Sequence, residues 1–297
     1  MGAKEKGTSV DNGPMPEPSN RVRCYFPGRR FPAFSVTGRG CALGCAHCEG
    51  KLLSGMRPVT SPDSLLAAAE RLASIGGTGF LLSGGCDEEG RVPLAGFVEA
   101  VAAARGRWGL KVNLHPGLLG PKEAADLIRS GADCYSVDLH RSARVIREVL
   151  HLKAAPSAYR QTLEALESAG AESIVPHITV GLDTDGEDAF RSVELASEFD
   201  IAGLVVLVFT PLKGTTMGAM SPPANDLVLR VLEQAQSRID RPVSLGCMRP
   251  RGNSTLEISA IKSGIRDIAM PSKEAVEWAE SHELTVERLE RCCAVHL

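Results

Sequence analysis

No apolar run in the chain approaches the roughly 20 residues that a membrane-spanning helix requires. The N-terminal residues also lack the apolar centre of a secretory signal. Both absences argue for a cytoplasmic protein with no membrane attachment. A strong net charge is missing too: 33 Lys and Arg against 36 Asp and Glu leave −3, so overall charge provides no attraction to nucleic acid. Locally, one sign of charge is nearly absent. From Arg21 to Arg57, the cations Arg21, Arg23, Arg29, Arg30, Arg39, Lys51 and Arg57 are set against a single acid, Glu49. Such asymmetry suits an anionic ligand or an acidic partner at the mouth of a site, or simply a solvated face. The pattern of a small disulfide framework is absent as well. Nine cysteines occur in 297 residues and three are clustered, which favours reduced, metal-binding thiols.

That cluster is Cys41-Ala-Leu-Gly-Cys45-Ala-His-Cys48, following the short apolar segment Ala33 to Thr37. Soft thiolates select zinc, copper(I) or iron–sulfur clusters. A closed structural zinc site needs four ligands, whereas three cysteines on one loop leave one iron of a [4Fe-4S] cluster without a protein ligand and free to chelate a small molecule. A zinc loop would have to borrow His47, and adjacent His47 and Cys48 are expected to be poorly placed to share one small ion.

Met1 to about Asn20 is rich in Gly, Pro and polar residues without periodicity, so residues 1–20 are expected to form a disordered leader. Residues 21–297 then form one domain, with 282–297 as a C-terminal extension. Within it the chain alternates short apolar strands with amphipathic helices. The expected strands are Ala33–Thr37, Gly79–Ser83, Leu110–Leu114, Asp133–Leu139, Ser173–Val180, Gly203–Phe209, Pro242–Gly246 and Asp267–Met270. The helices that follow them are Pro62–Ile75, Pro93–Ala104, Pro121–Ser130, Ser157–Ala169, Glu187–Phe199, Ala224–Arg238, Ser254–Ser263 and Lys273–Ser281, with a short last helix at Thr285–Cys293. This rhythm predicts an α/β fold, a (β/α)8 TIM-type barrel, with a partial six-unit barrel carrying a C-terminal extension as the alternative. In such barrels the site lies at the C-terminal ends of the strands. Polar residues gather there: Ser83-Gly84-Gly85-Cys86, Asn113-Leu-His115, Ser136-Val-Asp138-Leu-His140 and His177-Ile-Thr179. Period-two alternation puts Ser136, Asp138 and His140 on one face.

The cysteine loop resembles the signature of the radical S-adenosylmethionine (SAM) superfamily. The resemblance implies a [4Fe-4S] cluster on Cys41, Cys45 and Cys48, SAM bound at the unique iron, and reductive cleavage to a 5'-deoxyadenosyl radical. It implies SAM contacts at the strand ends: Ser83, Gly84 and Gly85 for the amino group, with Cys86 where the family has Glu, and Asp138 with Ser136 for the ribose. His47 takes the place of an aromatic ring near the adenine, and His177 and Thr179 fall loosely on the adenine motif. It also implies a ferredoxin- or flavodoxin-type electron donor.

The remaining cysteines suggest a second site. Cys247 ends the seventh strand, Cys292 and Cys293 lie near the C-terminus, and nine extended residues give Cys24 a reach of roughly 30 Å. An auxiliary [4Fe-4S] cluster on Cys24, Cys247 and one or both of Cys292 and Cys293 is expected, with Cys134 in the core. Together with Ser35-Val-Thr-Gly38 and Gly246-Cys-Met-Arg-Pro-Arg251 this resembles the biotin synthase-like branch, and within it a subunit of the archaeal-type two-component lipoyl synthase. That resemblance implies sulfur insertion into an octanoyl chain, a second radical SAM subunit and an acidic lipoyl carrier protein. The chain lacks the C-x4-C-x5-C motif of single-chain lipoyl synthases. The alternatives are a radical SAM mutase, C–C bond-forming enzyme or methylase, and a non-enzymatic metal-binding or electron-transfer barrel.

Overall fold

The computed structural model describes residues 20–295; apart from Asn20, the expected leader lies outside them. The elements run β1 (Arg21–Tyr25), β2 (Ala33–Ser35), β3 (Arg57–Pro58), α1 (Pro62–Ser74), β4 (Gly79–Ser83), α2 (Val98–Trp108), β5 (Lys111–Leu114), α3 (Pro121–Ile128), β6 (Cys134–Asp138) and α4 (Ser157–Ser168). They continue β7 (Ile174–Val180), α5 (Glu187–Ala196), β8 (Leu204–Val208), α6 (Asn225–Arg238), β9 (Val243–Leu245), α7 (Ser254–Lys262), β10 (Asp267–Ala269), α8 (Lys273–Ser281) and β11 (Thr285–Leu289). Each expected strand–helix unit is present. Helix starts follow from local chemistry: Ser61 and Ser64 form a reciprocal capping box ahead of Pro62, while Asn253 and Ser272 accept from Leu256 and Ala275 backbone N–H groups.

All eleven strands are parallel and belong to one sheet, in the order β11-β1-β10-β9-β8-β7-β6-β5-β4-β2-β3. β9 and β10 continue the sheet, and β1 and β11 follow β10, so no β10–β2 pair closes the ring. The result is a partial TIM-type barrel. An Arg30–Glu290 ion pair and the Thr78 hydroxyl, which donates to the Glu290 carbonyl at 2.8 Å, tie across the opening.

The expected terminal helix at Thr285–Cys293 is instead β11 and a tail. Thr-Val-Glu-Arg-Leu pairs residue for residue with β1, from Arg21↔Thr285 to Tyr25↔Leu289. The exposed edge of β1, more than 250 residues distant in sequence, supplies hydrogen bonds that override local helix propensity.

Alternation along the strands separates two cores. The larger lies between sheet and helices and includes Cys24, Phe34, Phe80 and Leu82. The smaller lines the inner side of the sheet and comprises Tyr25, Phe31, Cys134, Val175, Val205 and Ala269, together with Cys293, Ala294 and Val295 of the tail. The tail therefore fills the lower lumen and delivers Cys292 beside β5, where the Asn113 amide donates to its sulfur at 3.8 Å. Among the described residues no helix is long and apolar enough to cross a membrane.

Candidate active site

The cysteine loop leaves β2 at the C-terminal end of the sheet. Positive φ angles at Gly38 (62°) and Gly44 (57°) let it turn sharply on either side of Cys41. Backbone bonds then clamp it from three sides. Ala42 N–H donates to Cys86 O (2.8 Å), Ala46 N–H to Val149 O (2.7 Å) and Met217 N–H to Ala46 O (3.0 Å). The Glu49 carboxylate accepts from both the amide and the hydroxyl of Thr216, at 2.7 and 2.9 Å. The acid that stands alone in the basic stretch is therefore a loop anchor.

Cys45 is buried, with its sulfur 3.3 Å from Leu150 O. Hydrogen bonding with Cys48 and burial hold the Cys45 proton firmly. Cys48, accepting from Cys45 and adjacent to His47, is pulled down to about 4. One ligand atom each of Cys45, His47 and Cys48 lies within 4.8 Å of the others. This runs against the expectation that His47 and Cys48 are poorly placed to share one small ion: a tight turn, closed by Cys48 and Glu49 amides on Cys45 O, brings them together.

Gly84 and Gly85 press against this loop. The Gly85 amide donates to the Thr37 hydroxyl at 2.7 Å, and a Cβ at position 85 would lie 1.9 Å from Gly40 O and 2.6 Å from Cys41 Cα. Gly85 is thus dictated by loop packing. A cavity of about 230 Å³ opens above it, lined in part by Cys41, Cys45, Cys48, Cys86, Asp138 and His140.

His115, Asp138 and His177 form a row across the ends of β5, β6 and β7. His115 Nε2 lies 3.2 Å from Asp138 Oδ2, and the His115 and His177 rings stack with centroids 5.4 Å apart. Burial alone would lower the His115 pKa, but the Asp138 carboxylate overrides it and holds the ring above its ordinary value. Burial would raise Asp138, and His115, His177 and His140 instead hold it well below the usual carboxylate range. Replacement of Asp138 by Asn is expected to lower the His115 pKa, since it removes the charge that outweighs burial and leaves only Cys292 to oppose it. Imidazole NMR titration reads this directly. In the wild type the stabilisation from this pair is complete between about pH 4 and about pH 6.5. It is lost as pH rises through the raised His115 value and, at the acid end, as pH falls through the depressed Asp138 value.

The other strand-end residues divide by role. The Ser83 hydroxyl is committed to His115 O (2.9 Å) and the Ser136 hydroxyl to Asn113 Oδ1 (2.9 Å), while Thr179 sits two residues beyond His177 on the same face of β7. His140 is buried on the cavity wall, its Nδ1 2.8 Å from Asp188 Oδ2 and its ring edge-on to Tyr159. Asp188 also accepts from the Arg141 and Ser142 amides at 2.6 Å each. Asp188 and Tyr159 lie on helices α5 and α4, and no motif in the sequence singles them out.

Cys247, Cys292 and Cys293 meet on the inner side of the sheet, joined by Cys134, which donates to Ala294 O at 3.3 Å. Cys24 faces the opposite side and packs under the helices, since it alternates with the inward Tyr25. Cys247, Cys292 and Cys293 thus share one apolar cluster with Cys134, which is fully buried in the core as expected, while among the described residues no three of these sulfurs lie within 4.8 Å of one another. Hydrogen bonds from Cys293 and the Ala294 amide hold the Cys292 thiol down at about 7.

A parallel βα barrel that presents three thiols on one loop at a mainly apolar cavity has the architecture of an enzyme built around an iron–sulfur cluster. The chain belongs to the radical SAM superfamily: the model of that family matches residues 35–196, more than half of the chain. It is 26% identical over 197 residues to a protein named biotin synthase from Acidithiobacillus ferrooxidans, covering 63% of this chain and 60% of that protein, so it spans about three fifths of its relative. Among solved structures, methylornithine synthase aligns with a TM-score of 0.62 at 16% identity, covering 91% of this chain and 84% of that one. An FeFe-hydrogenase maturase from Carboxydothermus hydrogenoformans aligns with the same TM-score and identity over 86% of this chain and 61% of that one. These likenesses show the shared fold. The family implies a [4Fe-4S] cluster and SAM, and the donor set fits them: thiols select iron–sulfur clusters, and the glycine pair lets the next strand's loop approach without a side chain.

Proposed function

We propose that this chain is a radical SAM enzyme of sulfur insertion, acting on an octanoyl chain carried on a lysine in the manner of a lipoyl synthase subunit. The gathering of Cys134, Cys247, Cys292 and Cys293 in the lumen below the cavity carries this reading. A second iron–sulfur cluster there would be the sulfur source, and the likeness to biotin synthase supports the same class of chemistry. When bound, the first cluster and SAM supply reductive cleavage of a sulfonium and, with it, hydrogen abstraction from an unactivated carbon.

The chain's own residues orient and shield. Cys41, Cys45 and Cys48 would hold the cluster. The backbone at Gly84 and Gly85 would meet the amino group of SAM, with Asp138 on the ribose side and His47, His177 and Thr179 toward the adenine. The apolar cavity wall, including Leu150, Leu152 and Tyr159, keeps bulk water from the reacting centre. A ferredoxin- or flavodoxin-type donor would supply electrons. A second radical SAM subunit and an acidic lipoyl carrier would be the protein partners, the carrier binding less tightly as salt rises.

Anaerobic reconstitution tests the proposal. About eight irons per chain are expected, as for two four-iron clusters. A Cys247→Ala/Cys292→Ala variant should hold about four and still cleave SAM, but form no C–S bond. About four irons in the wild type, all lost with the cysteine loop, would leave a radical SAM enzyme without a sulfur source.

A further inference from the structure

The cysteine loop contains a second, narrower donor set. We propose that Cys45, His47 and Cys48 bind a single thiophilic divalent cation, Zn²⁺ or Fe²⁺, when the cluster is absent. Their ligand atoms lie within 4.8 Å of one another, and Cys41 is not a member of that group. Around one tetrahedral zinc, Zn–S bonds of about 2.3 Å and Zn–N bonds of about 2.0 Å set any two donors roughly 3.5–3.8 Å apart. The trio therefore closes on one ion with side-chain shifts of about 1 Å or less. A four-iron cluster is larger than one ion and draws on more widely spread thiolates, which is where Cys41 enters.

A second observation points to a ligand at the same place. His47 Nδ1 is buried with no hydrogen-bond partner among the described residues, a state that costs free energy unless the ring gains a partner. A cation bound by the imidazole and two thiols completes that ring's environment. The turn is held in place beforehand. Cys48 and Glu49 amides donate to Cys45 O at 3.0 and 2.8 Å, and Ala46 is bonded on both its amide and its carbonyl. Cys45, His47 and Cys48 all border the cavity. A single ion in this site occupies the place where a cluster must be assembled, so zinc bound first obstructs iron loading.

The test uses full-length, metal-free protein prepared anaerobically and titrated with Co²⁺ as the spectroscopic probe. One equivalent should bind in the wild type and in Cys41→Ser, with equal thiolate charge-transfer absorption. That absorption should fall by about half in Cys45→Ser or Cys48→Ser, as one of two thiolates is lost. His47→Ala should weaken binding by at least about tenfold, the lower end of what loss of even an outer-sphere partner costs a metal site. One equivalent of Zn²⁺ added before iron and sulfide should reduce iron incorporation in the wild type and have much less effect in His47→Ala. Full cluster loading of His47→Ala without zinc separates this site from the catalytic cluster. The proposal is overturned if Cys41→Ser weakens Co²⁺ as much as Cys48→Ser does, if His47→Ala binds Co²⁺ normally, or if binding persists in the Cys45→Ser/Cys48→Ser double variant.

Discussion

Replacement of Cys41, Cys45 and Cys48 together by alanine is expected to remove about four irons per chain and reduce SAM cleavage to the enzyme-free level. The loss should be complete because the chemistry resides in the cofactors, and no other group at the cavity replaces three thiolates. The fold should survive. The loop is anchored by its backbone bonds to Cys86, Val149 and Met217 and by the Glu49–Thr216 contacts, none of which uses a thiol. Iron and sulfide assays, SAM turnover and circular dichroism of one preparation separate lost cofactor from lost structure. Undiminished 5'-deoxyadenosine formation by the triple variant would refute the assignment of the cluster to this loop.

The second large effect concerns stability. Arg249 and Glu257 form an ion pair with side chains 0% and 1% exposed. The guanidinium donates to Gly246 O and Ala269 O, both at 2.6 Å, and to Met270 O at 3.1 Å, while Glu257 Oε2 accepts from Ser272 N–H at 2.7 Å. The pair knits the ends of β9 and β10 and fixes the loop that carries Cys247. Glu257→Ala leaves a buried, uncompensated guanidinium and should cost about 3–5 kcal/mol. For a chain of this size that corresponds to a fall in Tm on the order of 10 °C. Thermal unfolding measures it, and a fall of only a degree or two would mean that water or a rearranged loop rescues Arg249.

The strand–helix units were legible because each is a local pattern: largely apolar strands of four to eight residues, amphipathic helices, and Ser, Asn, Gly or Pro at the helix starts. The cysteine loop was legible for a similar reason, since its spacing lies within eight residues. β1 and β11 were not legible. Their stability comes from pairing with each other and with β10, across nearly the full length of the chain. The expected helix over Thr285–Cys293 failed on that account.

The same division runs through the site. Local spacing determined which residue types lie at the strand ends: three thiols after β2, two glycines after β4, and Asp138 and the histidines beyond. It also determined that the chain is a βα barrel with a soft-metal loop. Only the tertiary structure decided which of these side chains meet. Strand parity turned Cys24 outward and Cys134 inward, and the tail carried Cys292 and Cys293 into the lumen. A tight turn brought His47 within reach of Cys45 and Cys48, and α5 placed Asp188 behind His140. The physical reason is that side-chain chemistry and short-range periodicity are written locally. The face a residue presents and the neighbour it finds depend instead on sheet register, closure and packing, which are properties of the whole chain.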